Sequence, residues 1–167
     1  MPTVAELLRH HVSYSNWATR RLLAEAATLT ADELSRDFGT ADKSVLGTLV
    51  HIFRAERIWL ARIQEMKPLR PFAEPVDEHF STLAEHWPEL QNSWQQWIDS
   101  ISEQQPETIL TYSDLKGRTW AQPVWQIVLH VVNHSTQHRG QVSGFLRGLG
   151  KTPPPLDFTA FTRERLV

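Results

Sequence analysis

Apolar positions recur at steps of three and four along most of the chain, the period of helices that each bury one face. The first such stretch opens at Thr3-Val4-Ala5-Glu6. This is a capping box, in which the Thr hydroxyl and the Glu carboxylate take up backbone N–H groups left unpaired at a helix start. From there Leu7, His11, Tyr14, Ala18 and Leu22 keep one face inward to about Ala27. Thr30-Ala31-Asp32-Glu33 repeats the box, but Gly39 follows and only a short turn of helix is expected. Ser44 caps a second long helix reaching about Met66, with Val45, Leu49, Ile52, Ile58, Trp59 and Ile63 on its buried face. Pro68, Pro71 and Pro75 then force an irregular connection. A third long helix runs from about Glu78 to Ile101 through Phe80, Leu83, Trp87, Leu90, Trp97 and Ile98, with a kink expected at Pro88.

Between Glu107 and Gln122 the helical period is lost. Ile109-Leu110-Thr111-Tyr112 and Arg118-Thr119-Trp120 flank Lys116-Gly117, the pattern of a small β-hairpin. A fourth long helix follows Pro123 and runs to about Leu149, where Gly150 and Pro153-Pro154-Pro155 stop it; a short closing helix spans Phe158 to Glu164. No internal repeat or linker interrupts the pattern. The chain reads as one all-α domain over residues 1–167, an antiparallel four-helix bundle with a β-hairpin before its last long helix and a short C-terminal helix.

Composition narrows the chemistry. A domain of 167 residues buries about 70% of its unfolded surface. With 41% hydrophobic and 22% charged residues, neither disorder nor a fibrous structure has support. No Cys is present, which excludes disulfides, thiolate ligands and a Cys nucleophile, and leaves His, Asp and Glu to bind any metal. The first residues lack the basic start and apolar run of a signal peptide, and no stretch of about 18 apolar residues occurs, so a cytoplasmic location away from membranes is expected. The 17 Lys and Arg are scattered among 19 acids, for a net charge of -2, so the basic stripe of a nucleic-acid binder is missing and no such partner is expected. Trp17, Trp59, Trp87, Trp94, Trp97, Trp120 and Trp125 mostly fall on helical patterns and read as aromatic core.

His130, His134 and His138 stand four apart, one turn above another on nearly the same helix face. With 8 His in 167 residues, chance places only about 0.4 pairs at that spacing, and a run of three far less often. A pair at i and i+4 can converge on one ion at about 2.0–2.1 Å, whereas residues eight apart are separated by about 12 Å along the axis, so the three cannot share one ion. Either adjacent pair could serve, with the remaining ligand from a facing helix. His51 is the best supplier, with Gly47 and Ala55 one turn to either side leaving space for its imidazole. Gly140, Gly144 and Gly148 also repeat at four, and since each costs about 1 kcal/mol relative to Ala, close helix approach is their expected purpose, a subunit contact being one option. His10, His11, His79 and His86 have no comparable arrangement and read as surface or packing residues.

The spacing also excludes chemistries. Ser135 stands where a zinc protease of the H-E-x-x-H type keeps its Glu. No Glu is followed three residues later by His, so the ligands of a di-iron bundle are missing. From Leu115 to Leu156 there is no Asp or Glu, so a carboxylate base has to come from another helix; Glu56 is a weak candidate, and the catalytic residue is unassigned.

Four segments span nearly the whole chain: Tyr14-Ser15-Asn16-Trp17-Ala18 with Arg21-Leu22-Leu23; Leu49-Val50-His51-Ile52 with Glu56 and Trp59-Leu60; Leu129-His130-Val131-Val132-Asn133-His134 with His138-Arg139-Gly140-Gln141; and Pro153-Pro154-Pro155-Leu156-Asp157-Phe158. They resemble the DinB-like superfamily of metal-binding four-helix-bundle proteins, which includes metal-dependent hydrolases and thiol-linked transferases. The resemblance implies His51, His134 and His138 as ligands, His130 as their neighbour, a bound zinc or nickel ion with an open coordination position, and a homodimer. It further implies a metal-dependent hydrolase, or a transferase using a low-molecular-weight thiol, acting on a small-molecule substrate. The competing expectations are a non-catalytic, stress-related metal-binding protein and a bundle whose histidines merely pack.

Overall fold

The computed structural model describes residues 1–64, 79–114 and 116–165. Helix α1 (Val4–Ala26) begins at the expected capping box: Thr3 Oγ1 accepts from the Glu6 N–H at 3.2 Å and Glu6 Oε2 accepts from the Thr3 N–H at 2.8 Å. The short α2 (Ala31–Ser35) carries the same device at Thr30 and Glu33. Ser44 caps α3 (Val45–Ile63), its Oγ accepting from the Gly47 N–H at 3.0 Å. Next come α4 (Phe80–Ser100), which passes through Pro88 without a break, α5 (Val124–Gly148) and α6 (Phe158–Glu164). Strands β1 (Ile109–Ser113) and β2 (Thr119–Pro123) pair antiparallel, Ile109 opposite Pro123 and Ser113 opposite Thr119. Gly117 closes their turn at φ +77°, a conformation open to glycine at no steric cost. The expected helix end at Met66, the proline connection and the start at Glu78 lie outside the described residues.

The four long helices form a square in which α1 touches α4 and α5, and α3 touches α4 and α5. Hydrogen bonds give their senses. Arg9 donates to the carbonyls of Ile98 and Ile101, while Asn16 donates to that of Gln91, so α1 and α4 are antiparallel. His51 meets His138 and Trp59 meets His130, so α3 and α5 are antiparallel too. The start of α5, where the Val124 N–H donates to the Thr108 carbonyl, lies beside the 3-10 turn Gln105–Glu107 on which α1 also packs. Further along α5, Arg139 donates to Ser15 and Thr19 of α1, so these two run in the same sense, as do α3 and α4. The expected antiparallel pairing therefore holds along two sides of the square. Its other two sides are parallel because the connections are long; only short loops force consecutive helices to be antiparallel neighbours.

The core is less uniformly apolar than the sequence pattern suggests. Tyr14, Ala18 and Leu22 are buried as expected, but Leu7 is 45% exposed, and the buried face of α1 also takes in Ala5, Leu8, Val12, Ser15, Asn16 and Thr19. Polar residues interrupt that stripe because they bond to α4 and α5, which hides the true face from a count of apolar positions. Trp87, Trp94 and Trp97 are buried as expected, whereas Trp120 and Trp125 are exposed near the hairpin. None of the three glycines marks a close approach of another helix within the chain: a Cβ on Gly148 would sit 3.1 Å from the ring of Phe38, in the loop between α2 and α3, and Gly140 and Gly144 face no atom within 4 Å. Among the described residues, no helix is long and apolar enough to cross a membrane.

Leu49 has no exposed surface. Leu49→Ala is therefore expected to cost about 2–5 kcal/mol in urea unfolding through lost burial and a residual cavity, and Leu7→Ala less than about 0.5 kcal/mol. Equal losses would contradict this assignment of the α1 face.

Candidate metal centre

The buried stripe of α5 runs through Val128, Val131, Val132, Ser135, Arg139 and Val142. His134 and His138 flank that stripe on the side facing α3, and His51 lies at the matching edge of α3, so all three are half-buried in one seam. Each offers one ligand nitrogen, and these atoms lie within 4.8 Å of one another. Ring centroids are 4.9 Å apart for His51 and His134, and 4.5 Å apart for His51 and His138 and for His134 and His138. His51 Nε2 is 3.0 Å from His134 Nε2. Two nitrogens bound to one tetrahedral ion at about 2.0–2.1 Å stand roughly 3.3 Å apart, so the spacing and the donor set both suit a divalent metal.

The electrostatics favour neutral rings. Partial burial lowers His134 to about 4, and the neighbouring His138, His51 and His130 push it the same way. His51 is lowered first by burial and then by His138, against the pull of the Asp42 carboxylate. Neutral imidazoles offer a lone pair without first losing a proton. His138 Nδ1 donates to Gln141 Oε1 at 2.6 Å, which leaves its Nε2 as the free donor atom.

His130 stays outside the group. Its ring is 5.9 Å from that of His134 and packs edge-on to Trp59 at 5.4 Å. His10 and His11 pack on Phe158, at 5.4 and 5.2 Å, in line with their expected packing role.

Two sequence-level readings change. The space beside His51 attributed to Gly47 is filled by the loop before α3: a Cβ on Gly47 would collide with the backbone oxygen of Asp42. That loop places Asp42, which sequence reasoning missed, with Oδ1 3.5 Å from His51 Nδ1 and Oδ2 4.0 Å from His138 Nδ1. The only hint in the sequence is a glycine in the first turn of a helix, where no turn requires one. Glu56, the weak candidate for a base, points into the core instead. Trp87 Nε1 donates to its Oε2 and Ser135 Oγ to its Oε1, both at 2.8 Å. Burial raises its pKa, opposed by these bonds and by nearby Arg139.

Comparison with known proteins agrees with this architecture. A DinB-like protein from Bacillus cereus ATCC 10987, known from its crystal structure, superposes with a TM-score of 0.56 at 21% identity, covering 86% of this chain and 91% of its own. At that identity the likeness bears on the fold alone. Comparison with curated proteins gives no match. The sequence profile of the DinB family matches residues 1–165, including all three histidine positions, and the chain belongs to the DinB family.

Proposed function

We propose that His51, His134 and His138 bind one divalent ion, zinc or nickel, and that the protein is a metal-dependent enzyme of the hydrolase or low-molecular-weight-thiol transferase type acting on a small molecule. The observation that carries this reading is the convergence of three ligand nitrogens within 4.8 Å on two facing helices. A divalent ion bound there would supply Lewis acidity, lowering the pKa of a water or substrate thiol in the coordination position that three protein ligands leave open. The chain's own part is to keep the imidazoles neutral, aim them at one point and leave that point reachable; the His51 side chain is 41% exposed. The rings of His130, Trp59 and Tyr112 follow one another away from His134, with the Arg62 guanidinium over the last two, a surface available to the substrate. A homodimer belongs to the same proposal, with the uncovered Gly140 and Gly144 of α5 open to a second copy.

One observation favours a non-catalytic metal-binding protein instead. Asp42 approaches the imidazoles at Nδ1, behind the converging nitrogens, and Glu56 is engaged in the core, so neither stands on the open side as a general base.

Elemental analysis and calorimetry are expected to give one zinc or nickel per chain, lost in His51→Ala, His134→Ala and His138→Ala and largely kept in His130→Ala. Unchanged binding in the first three variants would overturn the assignment. The metal-loaded protein is expected to turn over members of an ester, amide, epoxide and thiol-transfer panel, with activity removed by chelation. Stoichiometric metal without any turnover would select the non-catalytic reading.

The histidines also predict a pH dependence for the metal-free protein. The folded His134 value, about 4, lies below its ordinary 6.5, so between these values the unfolded chain binds a proton that the folded chain excludes. Stability is therefore expected to fall as pH drops through that window, and less steeply in His134→Ala. Identical urea midpoint profiles for the two proteins would contradict the burial-driven shift.

A further inference from the structure

We propose that Asp42 is a positioning residue for the histidine triad, holding the His51 ring by its Nδ1 edge, and that Gly47 is glycine so that the Asp42 loop can come this close. The inference rests on the reading of the triad as a metal site.

A metal-ligating His generally donates its second ring N–H to a carboxylate, carbonyl or amide, which fixes the tautomer and aims the ligand nitrogen. His138 has this support in Gln141. His51 turns Nε2 toward His134, and the group behind its Nδ1 is the Asp42 carboxylate at 3.5 Å, close enough for a small ring rotation to complete the bond. The loop itself does not explain that carboxylate. Among the described residues its oxygens accept no backbone hydrogen bond, and they face His51 and His138.

The loop is built to reach this place. Lys43 adopts φ +63°, a left-handed conformation that a residue with a side chain rarely takes. The Ser44 N–H donates to the Asp42 carbonyl at 2.7 Å as the chain turns into α3. The same carbonyl occupies the space that any side chain at position 47 would need. On the other side, the Phe38 N–H donates to the Lys43 carbonyl at 2.7 Å, and the Phe38 ring stacks on Phe145 of α5 at 4.4 Å. Asp42 is thus tied to α3 and α5, the two helices that carry the histidines. Its carboxylate would act through His51, sharpening ligand geometry and raising imidazole basicity without binding the ion itself.

The test compares zinc affinity by competition calorimetry, His51 tautomer by nitrogen-15 NMR of the metal-free protein, and metal-free thermal unfolding, in wild type, Asp42→Ala, Asp42→Asn and Gly47→Ala. Asp42→Ala is expected to bind zinc about 10- to 100-fold more weakly, with His51 shifting from the Nδ1–H form to a tautomer mixture and an unfolding midpoint close to wild type. Asp42→Asn keeps an acceptor oxygen and is expected to fall between the two. Gly47→Ala, which touches no histidine, is expected to weaken binding as Asp42→Ala does, by displacing the loop. Wild-type affinity together with a wild-type His51 tautomer in Asp42→Ala would overturn the assignment. A wild-type protein that takes no zinc would contradict the metal reading, and the His51 tautomers would then decide the role of Asp42 by themselves.

Discussion

The antiparallel packing of α3 against α5 is the constraint on which the site depends. Side chains one turn apart on one helix can meet a side chain of the facing helix only if the two helices hold a particular rotation and level. Here that register turns Nε2 of His51 and of His134 toward each other at 3.0 Å, a spacing that the N–H of one neutral ring can bridge to the other and that also brings both nitrogens within reach of one cation. Partial burial lowers the basicity of His134 and His51. The rings therefore stay neutral, without the extra proton that would compete with a divalent cation for their lone pairs.

What holds the register is a buried polar network on the core side of the same helices. Glu56 of α3 accepts from Ser135, the residue after His134, and from Trp87 of α4, while its backbone carbonyl accepts from Trp94 at 3.1 Å. One residue after His138, the buried Arg139 donates to Ser15 and Thr19 of α1 and to Thr136, and lies over the Tyr14 ring. Removing one partner from such a network leaves a buried group unsatisfied, which costs more than the bond itself contributes. Rotating α5 to turn the histidines away from α3 would break its bonds to both α3 and α1. The polar residues that blur the apolar pattern of α1 are therefore the ones that orient the site.

The fold was legible where one local rule decided the outcome. Thr3 with Glu6, Thr30 with Glu33, and Ser44 mark helix starts because capping involves residues three apart in sequence. Lys116-Gly117 marks the hairpin because a positive φ selects glycine. The histidine row was legible for the same reason, as spacing four is visible in the chain, while its partner on α3 came from small neighbours and family resemblance. Leu7 and Trp120 misled because their exposure depends on tertiary neighbours. Asp42 left no periodic trace: its position follows from the left-handed turn at Lys43 and from contact with a glycine five residues later, neither of which composition or spacing encodes.

X-ray absorption spectroscopy on protein loaded with one equivalent of zinc or nickel tests the central claim most directly. The account predicts a first shell with three imidazole nitrogens at about 2.0–2.1 Å, completed by a light solvent atom, and the loss of that shell in His134→Ala. A shell without histidine scattering, or one unchanged in that variant, would contradict it.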